Sequence, residues 1–281
     1  MNVTIIQTHL FWENRQKNLQ HLDTLINAIN QPTDLIVLPE MFTTGFTMNP
    51  KIVAESDTIT LTWLKQKAKQ KNAVITGSVA INEEGNYFNR LFWVEPNQKV
   101  STYDKRHLFR MGNEDKNYTA GTKKIITTLK NWNICPLICY DLRFPVWSRN
   151  RVISQKSLLG SQQSVTLSGV EEQSSIANYA YDVLIYVANW PEVRSYPWKQ
   201  LLIARAIENQ CYVIGVNRIG LDGNNINHSG DSLVINPRGE IISQTKANEE
   251  SSETISLDKS YLDEFRTIFP AGLDADTFEI L

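Results

Sequence analysis

Two periodicities alternate along the chain. Residues 3–7, 34–38, 73–79, 134–138, 182–188 and 211–216 are short, nearly continuous apolar runs bounded by turn-forming residues. Runs of that length predict buried strands. Between them lie segments with apolar residues every third or fourth position: Leu19, Leu22, Leu25, Ile26 and Ile29 within 14–29; Leu61, Leu64 and Ala68 within 58–71; Leu201, Leu202, Ala204 and Ile207 within 198–209. That spacing predicts helices with one buried face. Residues 87–94 and 99–103 flank Glu95-Pro-Asn-Gln98 and read as a hairpin. Further strands are expected at 125–129, 232–236 and, after the turn 237–240, at 241–243, with a short helix at 261–266 before a tail. Apolar strands alternating with helices imply sheets covered by helices, an α/β class. The 281 residues are expected to form one domain.

Residues 152–178 break this rhythm. They are rich in Ser and Gln and contain neither Pro nor an aromatic residue. That composition predicts an exposed, mobile loop inserted into the domain.

Three buried strands stop at a chemically useful residue. Glu40 follows Leu35-Ile-Val-Leu-Pro39, Cys139 follows Ile134-Cys-Pro-Leu-Ile138, and Asn189 follows Val183-Leu-Ile-Tyr-Val-Ala188. Taken singly, Glu40 is an ordinary surface carboxylate and Cys139 a small buried hydrophobe. Lys105 and Glu114, in the loop after the hairpin, are ordinary solvated charges. In α/β folds, however, reactive groups gather outside strand ends, so these residues can converge. A carboxylate beside a thiol can take its proton and return it to a leaving amine, and an ammonium stabilises both thiolate and oxyanion. Cys135 lies inside its apolar run and Cys211 starts another, so both read as core thiols.

Composition narrows the possibilities. A net charge of −2 offers no long-range attraction to nucleic acid or an anionic membrane, and no apolar run approaches a bilayer span. Met1-Asn-Val-Thr-Ile-Ile-Gln7 lacks a basic n-region and a long apolar core, so no secretory leader is expected. Three cysteines without a pairing pattern argue for reduced thiols and a cytoplasmic location. Four scattered histidines show no ligand spacing, and no metal or organic cofactor is expected.

Leu38-Pro-Glu-Met-Phe42, Tyr103-Asp-Lys-Arg-His-Leu-Phe109 and Leu137-Ile-Cys-Tyr-Asp-Leu-Arg-Phe-Pro145 together resemble the three signature blocks of the nitrilase superfamily of carbon–nitrogen hydrolases. The resemblance spans nearly the whole chain except 152–178. It implies a four-layer α-β-β-α sandwich, commonly a homodimer paired through the helical face near the nucleophile. It also implies Glu40 as general base, Lys105 as oxyanion stabiliser, Cys139 as nucleophile, and Glu114 as the glutamate that positions lysine and substrate. Tyr140, Arg143, Asn189 and Trp190 are the expected substrate contacts. Within the superfamily, Met41-Phe-Thr-Thr-Gly-Phe46, residues 105–121, Asn189-Trp-Pro191 and Arg205-Ala-Ile-Glu-Asn-Gln210 resemble the bacterial omega-amidase branch. That branch hydrolyses the terminal amide of 2-oxoglutaramate or 2-oxosuccinamate and is linked to methionine salvage. A substrate carboxylate would suit an arginine fork, and Arg143 and Arg194 are the candidates, with an ion pair to Asp141 as the alternative use of Arg143. Alternatives are another amidase or N-carbamoyl hydrolase of the superfamily, or a catalytically impaired binding protein of the same fold.

Overall fold

A computed structural model describes residues 1–153 and 178–279. In chain order its elements are β1 Asn2–Gln7, α1 Arg15–Asn27, β2 Leu35–Val37, α2 Pro50–Val53, α3 Ile59–Lys71, β3 Val74–Glu83, β4 Asn86–Val94 and β5 Val100–Asp104. There follow α4 Glu114–Asn117, β6 Thr127–Leu129, β7 Trp132–Ile138, α5 Pro145–Ser148, β8 Val152–Ile153, β9 Asn178–Tyr179 and β10 Val183–Ala188. The rest are α6 Ser195–Asn209, β11 Tyr212–Asn217, β12 Ile219–Leu221, β13 Asn227–Ser229, β14 Leu233–Ile235, β15 Ser251–Ser256 and α7 Lys259–Ile268.

The large strands form two sheets, ordered β15-β1-β2-β3-β4-β5 and β14-β11-β10-β7-β6. Side-chain alternation divides the first sheet between two cores. Val3, Ile5, Leu35, Val37, Val74, Leu91 and Trp93 face the second sheet and share its core with β7, β10, β11, α6 and α7. Ile6, Ile36, Ile75, Phe92 and Val94 face the other way, onto Leu22 and Ile26 of α1 and Leu64 and Ala68 of α3. The result is helix, sheet, sheet, helix: the α/β class that the pattern predicts, in the layer order that the resemblance implies.

Among the elements that differ from expectation, three have a plain physical reason. The strand expected at 241–243 is a single bridge between Ile241 and Ile235, because the Ser243 hydroxyl, rather than a main-chain carbonyl, accepts the Val234 N–H. β15 was not apparent from the pattern: Ser, Glu and Thr fill an edge strand that pairs antiparallel with the whole of β1, and an edge strand has no buried second face to demand apolar residues. α6 starts at Ser195 rather than 198, since Pro197 falls in the first turn, where the missing N–H costs no bond.

Of the segment 152–178, Val152 and Ile153 pair with Tyr179 and Asn178. Its remainder, where the exposed loop is expected, lies outside the described residues. No helix among the described residues is long and apolar enough to cross a membrane.

Candidate active site

The strand ends do converge. β2 stops at Val37, and Leu38, Met41 and Phe42 are held by β3: the Leu38 N–H donates to the Thr76 carbonyl at 2.8 Å, and the Phe42 N–H to that of Ser78 at 3.0 Å. The turn between them aims Glu40 inward, with Met41 at φ +43°. It passes so close to β3 that a Cβ on Gly77 would sit 2.8 Å from the Leu38 Cβ and 2.9 Å from the Phe42 ring.

Lys105 follows β5, and its N–H extends the ladder to the Asn89 carbonyl at 3.0 Å. Gly121 packs against this end; a Cβ there would lie 2.1 Å from the Asp104 carbonyl oxygen. Glu114 opens α4, and one of its oxygens accepts the Phe109 N–H at 2.6 Å, closing the intervening loop.

Cys139 is the first residue after β7 and begins a 3-10 turn, Cys139–Arg143, with φ +42°. A non-glycine residue in that region costs about 1–3 kcal/mol and must be held there. Asp141 provides much of the hold. Its buried carboxylate accepts the Ile138 N–H at 3.1 Å, the Tyr103 hydroxyl at 2.7 Å and the His107 N–H at 3.0 Å, with His107 Nδ1 at 2.8 Å. The turn bearing Cys139 is thereby tied to both sides of Lys105. From α6, the buried Arg205 donates to the Leu142 carbonyl at 2.7 Å.

Lys105, Glu40 and Glu114 are wholly buried. The lysine Nζ lies 2.9 Å from Glu40 Oε1 and 2.9 Å from each Glu114 oxygen. The Asn189 main-chain N–H donates to Glu40 Oε2 at 2.8 Å, and its Nδ2 to the Glu40 carbonyl. Burial pulls the Lys105 ammonium down, but Glu114 and then Glu40 outweigh it, and it is held well above the usual lysine range. Burial pushes Glu114 up; Lys105 only partly offsets this, and Glu40 adds to the rise. Burial also pushes the Cys139 thiol well above its ordinary value, Glu40 adds to this, and Lys105 opposes it without prevailing. At rest the sulfur therefore carries its proton, with the Glu40 carboxylate close enough to act on it. Such a group calls for a base at the moment of attack rather than a standing thiolate.

The site opens into a cavity of about 450 Å³, a volume suited to a small ligand. Cys139 and Lys105 reach it, and all four expected substrate contacts, Tyr140, Arg143, Asn189 and Trp190, line it. Arg143 is exposed and lies over the Trp190 ring at 5.1 Å; Asp141 is committed elsewhere, so the ion-pair alternative does not form. Arg194 lies over Phe109 at 5.5 Å and also lines the cavity. Cys135 and Cys211 are core thiols without exposure.

Two residues at the site carried no sequence signal. Asn89, inside β4, sits between the carboxylates. His228, on β13, lines the far wall; its Nδ1 lies 3.0 Å from the Ile226 carbonyl, and burial and the nearby Arg218 push its pKa down to about 4. It adds no charge to the cavity near neutral pH. Among the described residues no group of three His, Cys, Asp or Glu could hold a metal ion.

A family model described as carbon–nitrogen hydrolase matches residues 2–154 and 172–267. The omega-amidase YafV of Escherichia coli K12 is 43% identical over 280 residues, which span 100% of this chain and 98% of that protein. A 2-oxoglutaramate amidase of Bacillus subtilis is 30% identical over 246 residues, 86% of this chain and 85% of the relative. Among solved structures, XC1258 of Xanthomonas campestris, a CN-hydrolase superfamily protein with an arsenic adduct in its active site, superposes with a TM-score of 0.88 at 38% identity, covering 100% of this chain and 98% of that one. Yeast Nit3, of the nitrilase superfamily, shares the fold with a TM-score of 0.77 at 21% identity, over 96% of this chain and 94% of its own.

Proposed function

Because this chain belongs to the carbon–nitrogen hydrolase family and is a hydrolase, we propose that it cleaves the terminal amide of a small 2-oxo acid, 2-oxoglutaramate or 2-oxosuccinamate, through a thioester on Cys139. The carrying observation is the closed charge cluster: a protonated thiol within reach of Glu40, whose other contacts include an ammonium clamped by two carboxylates. Omega-amidase and 2-oxoglutaramate amidase relatives support the substrate class.

Glu40 takes the thiol proton as sulfur attacks the amide carbon, which avoids forming a free thiolate in a buried site. The carbonyl electrons move to oxygen, and Lys105, already present and needing no reorganisation, stabilises the oxyanion. Glu40 then gives its proton to nitrogen, the C–N bond breaks and ammonia leaves. Water adds to the thioester by the same route, with Glu40 first accepting its proton and then returning one to sulfur, so the acid is released and the thiol restored. Glu114 holds Lys105 through both of its carboxylate oxygens.

At the far end of the substrate, the carboxylate is read by Arg143 or Arg194, the guanidinium groups lining the cavity. Tyr140, Asn189 and Trp190 shape the space between. A homodimer through the adjoining helical face belongs to the same reading, supported by the exposed apolar Val146, Val193 and Tyr196, which lie within three residues of Arg143 or Arg194 in the chain.

The test is ammonia release by the purified protein from 2-oxoglutaramate and 2-oxosuccinamate, set against N-carbamoyl amines, nitriles and uncharged short-chain amides. Preference for the keto acid amides, lost selectively on Arg143→Lys or Arg194→Lys through a raised KM, is the expected result. Faster turnover of an uncharged amide would sink the substrate assignment.

A further inference from the structure

Asn89 lies wholly buried near the middle of β4. Its Nδ2 donates to Glu40 Oε1 at 2.8 Å and to Glu114 Oε1 at 3.3 Å, while its main-chain carbonyl accepts the Lys105 N–H at 3.0 Å. One residue thus touches all three members of the charge cluster. The orientation of its amide is settled by those neighbours, since a flipped group would aim Oδ1 at two carboxylates. In the orientation adopted, Oδ1 has no partner among the described residues. A buried acceptor left unpaired costs free energy, so the two donor contacts are what this position retains.

The need for such a donor follows from charge. Lys105 brings one positive charge to two buried carboxylates, and like charges in one site favour protonation of one of them. A proton resting on Glu40 would remove the base before the thiol could use it. Amide N–H groups offset the excess negative charge without adding a titrating group. We propose that Asn89 is a positioning residue that bridges the two carboxylates so that Glu40 faces the Cys139 thiol as an unprotonated base. This rests on the reading of Glu40 as general base.

The titratable groups facing Glu40 are Lys105, Glu114, Cys139 and Tyr118. The Tyr118 hydroxyl is committed to the Thr47 carbonyl at 2.9 Å, so the side-chain donors on Glu40 Oε1 among the described residues are Lys105 and Asn89, with the Asn189 main-chain N–H on Oε2.

The test is the pH profile of kcat/KM for 2-oxoglutaramate in Asn89→Ala and in Asn89→Asp, a nearly isosteric change that removes the donors and keeps the volume. Loss of a charge-assisted hydrogen bond should move the acid limb upward by about one pH unit in Asn89→Ala, and further in Asn89→Asp. Turnover should recover at alkaline pH, with KM changed little. A fall in kcat/KM by the same factor at every pH, or an acid limb left in place in Asn89→Asp, would overturn the proposal even if Asn89→Ala failed to fold. Glu40→Gln is the companion measurement. If it kept substantial turnover, the reading of Glu40 as base would fail on its own account, separately from the role of Asn89.

Discussion

Cys139, Cys135 and Cys211 are all buried thiols, and burial pushes each one's pKa upward, that of Cys135 to about 12. Of the three, Cys139 lines the cavity, beside Glu40 and Lys105. Cys139→Ala should therefore abolish amide hydrolysis with little change in Tm. Cys135→Ala and Cys211→Ala should keep turnover and lose about 1 kcal/mol each, read by urea unfolding beside an ammonia assay. Lys105→Ala should lower kcat by about a hundredfold or more and lower stability as well, since it leaves Glu40 and Glu114 buried without their cation. A Lys105→Ala protein within tenfold of the parent in kcat would remove the lysine from the reaction. At this scale the sequence was informative wherever a polar residue ended an apolar run, as at Glu40 and Cys139. It was silent for Asn89, whose neighbours along β4 place it in an ordinary strand. Only the pairing of β4 with β5 brings it against Lys105.

Among elements, the 3-10 turn after β7 and the β12–β13 hairpin make separate tests. Asp141 joins the turn to the Tyr103–His107 stretch by three contacts and to the end of β7 by a fourth, so Asp141→Ala should cost about 3 kcal/mol and reduce kcat more than it changes KM. Full activity at unchanged Tm would show the strained Cys139 turn to be self-supporting. On the hairpin, His228 titrates near 6.5 when unfolded and near 4 when folded. Above pH 6.5 the ring is neutral in both states. As pH falls from 6.5 toward 4 the unfolded chain gains a proton that the folded one refuses, so stability drains away across that window, by at most about 3 kcal/mol. His228→Asn, which keeps a donor for the Ile226 carbonyl, should flatten this part of the stability curve. Equal slopes for parent and variant would contradict it. The hairpin itself, like β15, was not legible in the sequence, because its short strands carry polar residues such as Asn227, His228 and Ser229 rather than an apolar run.

For the whole molecule, the pairing of β8 with β9 sets Ile153 and Asn178, the residues that flank 154–177, side by side. Replacing 154–177 by a two-residue Asn-Gly turn should therefore leave Tm within a few degrees and ammonia release at or above the parent's. A variant that unfolds would show this segment to be integral rather than inserted. The α/β class followed from the sequence alone, because short continuous apolar runs alternating with period-3.6 segments state directly which backbone geometry can bury them. The sequence also placed Glu40 and Cys139 directly after buried strands, where side chains of an α/β fold can converge. What only the tertiary structure decided is the balance of charge. Glu40 and Glu114, 74 positions apart, close on Lys105 from two different loops, and the thiol stays protonated because burial and the Glu40 carboxylate together outweigh the ammonium. Electrostatic energy depends on distance and desolvation, and neither exists until the two sheets have packed.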